Sequence, residues 1–571
     1  MKRHQSSLQT VFALIGIVVL VGSACAPTAA PTPTAKTAPA PAPTARPAPA
    51  QAPTAKPTPA PTKPAAAAKP APAAKPAAPA TTPKPTGEQP KYGGEIVLAQ
   101  HVDLLNTDPL LCASTSCVIV HGLAFNKLLM RDKENNIVPD LAASWEQPDP
   151  LTYVVHLRKG VKFHNGQEVK AEDVLYSVDL LRNSGTHPSY FAVWHGFAGV
   201  RALDDYTIEF KTTKPDPTFT HALSHSHQFI VPKKVYTKSG AFTQEWVGTG
   251  PFKLAGFTRN VNYRLVKNPD YFEKGIPYVD GVNILMIPDM AARIASFRTR
   301  RVDYIGELRT PDLLVLRRAV PGLREIKVPG GSIGIYFNAY EPPFDNMKLR
   351  QAIVGGLQHQ ELIDIVTQGT GILSGPLYGG PKGWGLAWFP DELKKLYAYD
   401  PDRVKRLLTE AGYPDGYSFT LKATPRQSLA VAAMEVVQSQ LGKVNIKVKP
   451  EILDFTTFIA QRNNRQYTAM SHIVTPGIEP AERFYFHFHS KNNRYANDPD
   501  VDKLLDEQYT ILDPEERRKV LVEAERMVIE RGYCGVYFQQ FDFSATQPYV
   551  KNYVSPSMTG QYLLRYAWLD K

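Results

Sequence analysis

Alternating apolar and polar residues predict several β-strands in the body of the chain. Residues 153–158 show the two-residue period of a half-buried strand. The pairs Lys159-Gly160 and Asn165-Gly166 on either side of the next short strand are turn signals. Residues 206–210 repeat the alternation. These patterns predict a β-meander interrupted by helical segments.

Helical spacing appears between the predicted strands. Residues 171–181 place their apolar side chains on one face of a helix. Asp400-Pro401 predicts a second helix, because the aspartate can cap the first turn and proline is favoured there, and Gly412 ends it. Strands and helices interleave, and no repeat of roughly 20–50 residues recurs. The pattern therefore predicts the mixed α/β class.

The first 24 residues read as a targeting segment. Lys2 and Arg3 precede an unbroken apolar run from Val11 to Val21. A membrane-spanning helix needs about 20 apolar residues, so this shorter run is typical of a signal peptide. We therefore assign 1–24 to a signal peptide.

Residues 25–91 have the composition of a disordered linker. Positions 26–91 hold 20 of the 50 prolines, together with alanine, threonine and lysine. Such a segment cannot bury enough apolar surface to offset its ordering entropy. It would serve as a spacer; the alternative is a lysine-bearing arm held by anionic lipid or wall polymer.

The positive charge of the chain belongs mainly to this tail. The whole chain of 571 residues carries a formal net charge of +11, and the tail from 26 to 91 carries +7. The remainder, 92–571, has 55 basic and 53 acidic residues. This near-neutral body argues against nucleic-acid binding. Its 480 residues exceed the size of one core, so more than one lobe is expected.

Cys25 ends a short motif of small residues. Gly22-Ser23-Ala24-Cys25 resembles a bacterial lipobox, in which the cysteine is lipidated and becomes the new N-terminus. Gly22 departs from the pattern, which usually has Leu, Val or Ile three residues before the cysteine. Lipidation of Cys25 is the expectation, and ordinary signal cleavage with release of a soluble protein is the alternative.

Several short blocks in the body carry a family resemblance in their order. They are Tyr92-Gly93-Gly94-Glu95, residues 137–146, residues 151–166, Ala171-Glu172-Asp173-Val174, residues 248–252, residues 268–272, and Asp400-Pro401 through Gly416. Over 92–571 the set resembles the extracytoplasmic solute-binding proteins of family 5, the dipeptide, oligopeptide and nickel receptors of ABC importers.

The resemblance implies an α/β fold with two lobes, the periplasmic-binding-protein or Venus-flytrap fold, with an extra subdomain in lobe I. Lobe I would comprise 92–332 and the return segment 541–571, and lobe II would comprise 333–540. The chain would cross between lobes near Gly330-Gly331 and near 537–539. Ligand would close the lobes, and the partners would be an ABC permease and ATPase. The resemblance implies a monomer without a cofactor.

Candidate ligand residues of lobe II come from the same resemblance. Arg426, after a predicted strand, matches the place where the family's peptide receptors hold a carboxylate; a surface arginine is the alternative. The loop 471–480 lacks the aspartate that would hold a peptide α-amine, and Glu479 is the nearest acid. An acidic or amine-blocked solute is therefore expected. His472, Thr475 and Tyr485 are further candidate contacts, and packing within the lobe is the alternative for each of them.

An aromatic contact in the cleft is also expected. Trp384 lies where the family often has an aromatic residue, and Trp388 is its rival. A tryptophan on a loop is costly unless it stacks on something.

The lip of lobe I is expected just after the first strand. Asn106 and Thr107 could donate hydrogen bonds to ligand. Cys112 and Cys117 lie close enough in sequence for a disulfide outside the cytoplasm, with two buried thiols as the alternative. A metal site that joins Cys117 and His121 is a third reading, named because of the family's nickel branch.

Two classes of function remain after enzymes are considered. Residues 330–334 match the string of a nucleophile elbow around Ser332, but a strand-like run follows where a helix is required. The favoured function is a solute receptor of an ABC importer, not an enzyme. The alternatives are a surface or sensory lipoprotein on the same fold and a nickel or metal-chelate receptor.

Overall fold

The computed structural model describes residues 89–571 with short gaps. The gaps are 105, 111–114, 133–135, 184–193, 195, 226–227, 236–245, 378–388, 476–478, 493 and 554–563. The predicted signal peptide, most of the linker, Cys25, Cys112, Trp384 and Trp388 lie outside the described residues.

Strands and helices alternate along the described chain, as the sequence predicts. The strands are β1 (Glu95–Gln100), β2 (Leu129–Arg131), β3 (Ile137–Pro139), β4 (Ala142–Asp149), β5 (Thr152–Leu157), β6 (Phe197–Ala202), β7 (Thr207–Thr212), β8 (Phe252–Thr258), β9 (Asn262–Lys267), β10 (Gly281–Met286), β11 (Tyr304–Leu308), β12 (Arg324–Phe337), β13 (Tyr417–Ala423), β14 (Ile446–Ile452), β15 (Ala469–Val474), β16 (Cys534–Thr546), β17 (Val550–Lys551) and β18 (Trp568–Leu569).

The helices fall between and after these strands. They are α1 (Thr115–Ala124), α2 (Ala171–Asn183), α3 (Phe219–Leu223), α4 (Met290–Arg298), α5 (Thr310–Ala319), α6 (Met347–Gly355), α7 (His359–Val366), α8 (Asp391–Lys394), α9 (Pro401–Glu410), α10 (Ser428–Gly442), α11 (Phe455–Asn463), α12 (Pro480–Phe488), α13 (Pro499–Glu507) and α14 (Pro514–Glu530). Short 3₁₀ turns occur at Lys395–Tyr397, Ser490–Asn492, Gln508–Thr510 and Leu564–Tyr566.

Local sequence signals explain several boundaries of these elements. Asp400 accepts a hydrogen bond from the Arg403 amide at 2.8 Å and caps α9, as its position before Pro401 predicts. Gly412 has φ of +91° and ends the same helix. The predicted strand at 153–158 is confirmed as β5, which pairs antiparallel with β4 and β7.

Among the described residues, ten strands form one mixed sheet. Their order is β14-β13-β15-β12-β16-β11-β1-β10-β9-β8. The strands β4, β5, β7 and β6 form a separate sheet of four within the segment from 142 to 212. This smaller sheet lies in the part of the sequence for which an extra subdomain is expected.

The apolar side chains form separate cores along the chain. Every buried residue of one core lies between Ile333 and Phe538. The other two clusters draw on residues from Ile96 to Leu316 and on residues 543–569. The chain thus returns to its first part after completing the core of the 333–538 segment.

Two long neighbouring strands, β12 and β16, connect these parts. They pair antiparallel from Arg324 opposite Thr546 to Tyr336 opposite Cys534, and the ladder is irregular between Pro329 and Gly334. The sequence predicts a chain crossing near Gly330-Gly331, followed by a strand-like run. In the structure β12 already starts at Arg324 and includes Gly330 and Gly331, where the register with β16 shifts. An added Cβ at these glycines would lie 2.8 Å from Gln540 Cγ and 2.6 Å from Ile473 Cγ1, so both positions approach the neighbouring strands closely.

Two of the blocks that carry the family resemblance, residues 151–166 and residues 248–252, contact each other in the fold. The His164 ring lies 3.1 Å from the Gly250 carbonyl oxygen and 3.2 Å from the Trp246 carbonyl oxygen. Gly250 donates its amide to the carbonyl oxygen of Ala124 at 2.9 Å. The Gly248–Phe252 block therefore makes a close backbone contact with the end of α1.

A buried arginine near the C-terminus ties the return segment to the first part of the body. Arg565 is 9% exposed, and its Nη1 lies 3.3 Å from Asp140 Oδ1 and 3.0 Å from Glu273 Oε1. The same nitrogen donates to the Tyr271 hydroxyl at 2.5 Å. The carboxylates compensate the charge that burial would otherwise make costly.

No helix in the described ranges is both long and apolar enough to cross a membrane. The apolar run from Val11 to Val21 lies outside those ranges.

Candidate functional site

The carboxyl ends of two parallel strands frame a small cavity in the first part of the body. β1 pairs in parallel with both β10 and β11. In open α/β sheets, ligands bind at the carboxyl ends of the strands. The cavity measures about 60 Å³ and is lined by Ala99, Gln100, His101, Ser116, Ile119, Arg293, Gly306 and Glu307. Such a space takes the end of a solute or a few water molecules.

Gln100 supplies the most buried amide of this cavity. Its side chain is 6% exposed, and neither the amide nitrogen nor the amide oxygen has a hydrogen-bond partner within the described structure. A buried polar group left unpaired costs about 1–3 kcal/mol. Gln100 can therefore both donate to and accept from a ligand group that enters the cavity. The sequence did not single it out, although it is the last residue of the first strand.

Two other residues of the cavity lining form an ion pair. His101 Nδ1 lies 2.6 Å from Glu307 Oε2. Glu307 has φ of 59°, in the left-handed region that is rare for residues other than glycine. Such strain often occurs where a side chain is held for function.

The second part of the site is the turn that follows β13. This strand runs parallel to β14 and β15, so their carboxyl ends lie at the same edge of the sheet. Arg426 is exposed in this turn, with its guanidinium carbon 4.4 Å from the centre of the Phe455 ring. Among the described carboxylates, none lies within 4 Å of its nitrogens. The Arg426 charge is therefore available to an anion.

His472 lies on β15 beside this turn and is 4% exposed. Its Nε2 is 3.1 Å from Arg462 Nη1, and its Nδ1 is 3.1 Å from Gln427 Oε1. Arginine can only donate, so Nε2 accepts and Nδ1–H donates to the glutamine oxygen. Burial, followed by the charges of Arg462 and Arg494, holds the pKa of His472 well below its ordinary value. The neutral ring positions Gln427 and Arg462.

Two further ligand contacts that the sequence predicts, Thr475 and Tyr485, lie on different segments of the chain. Thr475 is exposed directly after β15. Tyr485 is half-buried on α12, and its hydroxyl donates to Asp506 Oδ1 at 3.3 Å. Desolvation and the nearby Asp506 carboxylate raise the pKa of Tyr485 to about 12. Trp384 lies outside the described residues, so its predicted position stays a prediction.

The predicted lip residues of the first part anchor the segment before α1. Asn106 Oδ1 accepts a hydrogen bond from the Asp108 amide at 2.9 Å. The Thr107 carbonyl oxygen accepts from His121 Nε2 at 3.1 Å. The roles of Asn106 and Thr107 in ligand binding remain predictions.

The cysteines of the body are in two states. Cys117 is disulfide-bonded. Its predicted partner, Cys112, lies outside the described residues, so the pairing stays a prediction. Cys534 is a free, buried thiol.

His121 shares α1 with Cys117, as the metal alternative requires, but it is fully buried. Burial lowers the pKa of His121 to about 3, opposed by its hydrogen bond to the Thr107 backbone. Across the described ranges, no group of three or more His, Cys, Asp or Glu side chains has the arrangement of a metal site.

Glu479, the nearest acid to the candidate amine-binding loop, is engaged in a buried ion pair. Its Oε2 lies 3.1 Å from Arg517 Nη2, and the two residues are 3% and 4% exposed. The Glu479 side chain also accepts from the Glu482 amide at 3.1 Å and caps α12. Both contacts use Oε2, and Oε1 is buried without a hydrogen-bond partner among the described residues. The protein thus engages Glu479 through one oxygen, which sequence spacing did not indicate.

The ion pair of Glu479 and Arg517 interacts electrostatically with two charged residues from the first part of the body, Arg131 and Asp216. Burial lowers the pKa of Arg131 to about 10, and the charge of Glu479 opposes that shift. Burial raises the pKa of Asp216, and the charge of Arg517 opposes it. Arg131, Glu479, Arg517 and Asp216 thus form a group of alternating charges in which each residue is at most 4% exposed.

Comparison with known proteins identifies the class. The family model described as "Bacterial extracellular solute-binding proteins, family 5 Middle" matches residues 136–496. The chain is therefore an extracellular solute-binding protein, the substrate-binding component of an ABC importer. It belongs to family 5 of these proteins.

Curated relatives and solved structures agree with this placement. Heme-binding protein A of Haemophilus influenzae is 27% identical over 78% of this chain and 87% of its own length. The oligopeptide-binding protein AppA of Bacillus subtilis is 24% identical over 80% of this chain and 88% of its own length. These relatives are named as binding proteins and not as enzymes.

A solved structure supports the two-lobed fold. The periplasmic binding protein DppA of Helicobacter pylori, in complex with the peptide STSA, matches with a TM-score of 0.68 and 23% identity. The match covers 84% of this chain and 99% of that chain. The predicted α/β periplasmic-binding-protein fold is therefore confirmed.

The nucleophile-elbow string around Ser332 does not form an exposed turn. Ser332 lies fully buried within β12.

Proposed function

We propose that the protein is a lipid-anchored monomeric receptor that captures a peptide or other small solute between its lobes and delivers it to an ABC permease and ATPase. The proposal rests on one observation about the apolar cores. The buried residues of one core all lie between 333 and 538, those of the other cores lie outside this segment, and the long strands β12 and β16 connect the two parts. This separation supports lobe I as 92–332 with 541–571 and lobe II as 333–540.

The proposal requires a bound solute and a movement of the lobes. Mass spectrometry of material released by denaturation of the purified protein would identify the solute. Adding it back is expected to reduce the radius of gyration in small-angle scattering, because ligand contacts favour the closed form. Identical scattering curves at saturation would contradict closure, and the absence of any bound or binding solute would contradict the receptor function.

The ligand is proposed to be acidic or amine-blocked. Arg426 offers an unpaired cation, whereas Glu479 is occupied by Arg517 and the α12 cap. An ammonium group buried without a partner would cost several kcal/mol.

We therefore expect Arg426→Ala to weaken binding of the native solute at least about tenfold, since a charge-assisted hydrogen bond contributes about 1.5–3 kcal/mol. Calorimetry would measure the loss, with Arg403→Ala on the exposed face of α9 as control. Unchanged affinity of the Arg426 variant, or tight binding of ordinary free dipeptides, would contradict the proposed ligand chemistry.

Anchoring is proposed to depend on Cys25. The change Cys25→Ser is expected to move the protein from the membrane fraction to the soluble fraction, because a lipidated cysteine would hold the chain at the membrane. Cell fractionation followed by immunoblotting measures this distribution. A membrane-bound Cys25→Ser protein would contradict the lipid anchor.

A further inference from the structure

Three arginines gather beside the turn that carries Arg426. Arg462 lies in the last turn of α11, Arg483 lies on α12, and Arg494 follows α12. Arg462 and Arg494 donate to the same Asn463 oxygen, Oδ1, at 3.4 and 3.5 Å. The charge of Arg483 acts together with those of Arg462 and Arg494 on the buried His487 ring. The three side chains therefore occupy one neighbourhood, which we call the arginine cluster.

The arginine cluster has no counter-charge in the described structure. No described carboxylate oxygen lies within 4 Å of any of its nitrogens. The Nε atom of each of the three arginines is buried without a hydrogen-bond partner among the described residues. The undescribed positions within 89–571 contain only two acidic residues, Glu134 and Glu245.

The side chains around the arginine cluster do not neutralise its positive charge. His472 accepts a hydrogen bond from Arg462 and is therefore neutral. Arg494 lies over the Phe486 ring, with its guanidinium carbon 4.1 Å from the ring centre. Burial lowers the pKa of Arg494, and repulsion from Arg462 and Arg483 lowers it further. Three neighbouring cations with buried, unused donors require an acceptor from outside.

A chain of hydrogen bonds links the cluster to the candidate site. Arg462 contacts His472, and His472 contacts Gln427, the neighbour of Arg426 in the chain. The cluster and Arg426 therefore lie on the same side of the second lobe.

We propose that the arginine cluster binds a solute bearing two or more carboxylates. The planar guanidinium fork matches a carboxylate, and several forks together favour an anion with several acidic groups. This inference rests on the proposed receptor function and narrows its ligand to polyacidic solutes. The fully buried Gln100 amide at the other lobe would contact the remaining, neutral end.

The first test compares two probes of equal size. N-acetyl-Glu-Glu carries two more carboxylates than N-acetyl-Gln-Gln. Calorimetry on the purified full-length protein is expected to show at least about 100-fold tighter binding of the acidic peptide, since each charge-assisted bond contributes roughly tenfold or more. Equal affinity for the two peptides would overturn the proposal, as would binding of inorganic phosphate in preference to the acidic peptide.

The second test assigns the effect to the cluster. Arg462→Gln is expected to weaken binding of N-acetyl-Glu-Glu at least about tenfold and to leave N-acetyl-Gln-Gln unchanged. Arg465→Gln is the matched control, because Arg465 lies near the end of the same helix but stacks on Tyr340 outside the cluster. Unchanged binding of the acidic peptide by Arg462→Gln and Arg494→Gln would overturn the assignment.

If the variants fail to fold, the proposal can still be tested on the unmodified protein. Citrate is expected to raise the melting temperature of the wild-type protein above its value in sodium chloride of equal ionic strength, because an anion bound only to the folded state stabilises it. An equal melting temperature in both salts would overturn the site. A neutral co-purified solute that binds tightly and is insensitive to Arg462→Gln would overturn this inference while leaving the receptor function intact.

Discussion

Replacing Glu479 by glutamine is expected to lower the free energy of unfolding by about 3–5 kcal/mol. Glu479 and Arg517 are 3% and 4% exposed and form an ion pair at 3.1 Å. The glutamine amide keeps an oxygen that can cap α12, so the change removes chiefly the charge. Among the described residues, the buried Arg517 cation then keeps the more distant Asp216 and its hydrogen bond to Gln508, at 2.9 Å.

Urea unfolding of the wild-type and Glu479→Gln proteins measures this loss. The double variant Glu479→Gln with Arg517→Met is the control, because removing both charges of a buried pair is often close to neutral. It should recover much of the lost stability. A fully stable Glu479→Gln protein that no longer binds an amine-bearing solute would show instead that the carboxylate serves the ligand.

The change Gly248→Ala is expected to destabilise the protein by at least about 3 kcal/mol, near the upper end of the range for overpacking. An added Cβ would lie 1.9 Å from the Ala124 carbonyl oxygen and 2.8 Å from Phe125 Cδ1. The first of these atoms belongs to the backbone at the end of α1 and cannot rotate away. The contact could be relieved only by moving α1 or the turn that carries Gly248.

Thermal or urea unfolding again provides the measurement. Gly199→Ala is the matched control, because Gly199 lies in β6 with no heavy atom within 4 Å of its added Cβ. Its expected effect is within about 0.5 kcal/mol. Equal stability of the two variants would mean that the Gly248 turn can adapt.

Local sequence patterns predicted the elements that depend on nearby residues. The β5 alternation, the Asp400 cap and the turn glycines Gly160 and Gly166, with φ of +76° and +87°, act over a few positions and therefore leave a readable signal. The contact of Arg158 is one that the local pattern does not encode. This residue follows β5, is half-buried and donates from Nε to the Asp140 carbonyl oxygen at 2.8 Å.

The charged groups of the site depend on tertiary contacts that no local period encodes. The partner of Glu479 is Arg517, which comes from another helix, and the unpaired amide of Gln100 is evident only when its surroundings are known. The arginine cluster left a weaker signal. Residues 455–496 contain five basic residues and two acidic ones, an excess that could have marked a cationic surface before the structure was known.

The pairing of Arg565 with Asp140 has a consequence for export of the chain. The two residues are separated by 425 positions, and the same core contains Ile96 near one end of the body and Leu569 near the other. A polypeptide that leaves a translocation channel amino-terminus first cannot complete this core until its last residues have emerged. The intervening segment 333–538 can bury its own apolar side chains earlier. The part of the body that emerges first from the channel is therefore the part whose apolar core is completed last.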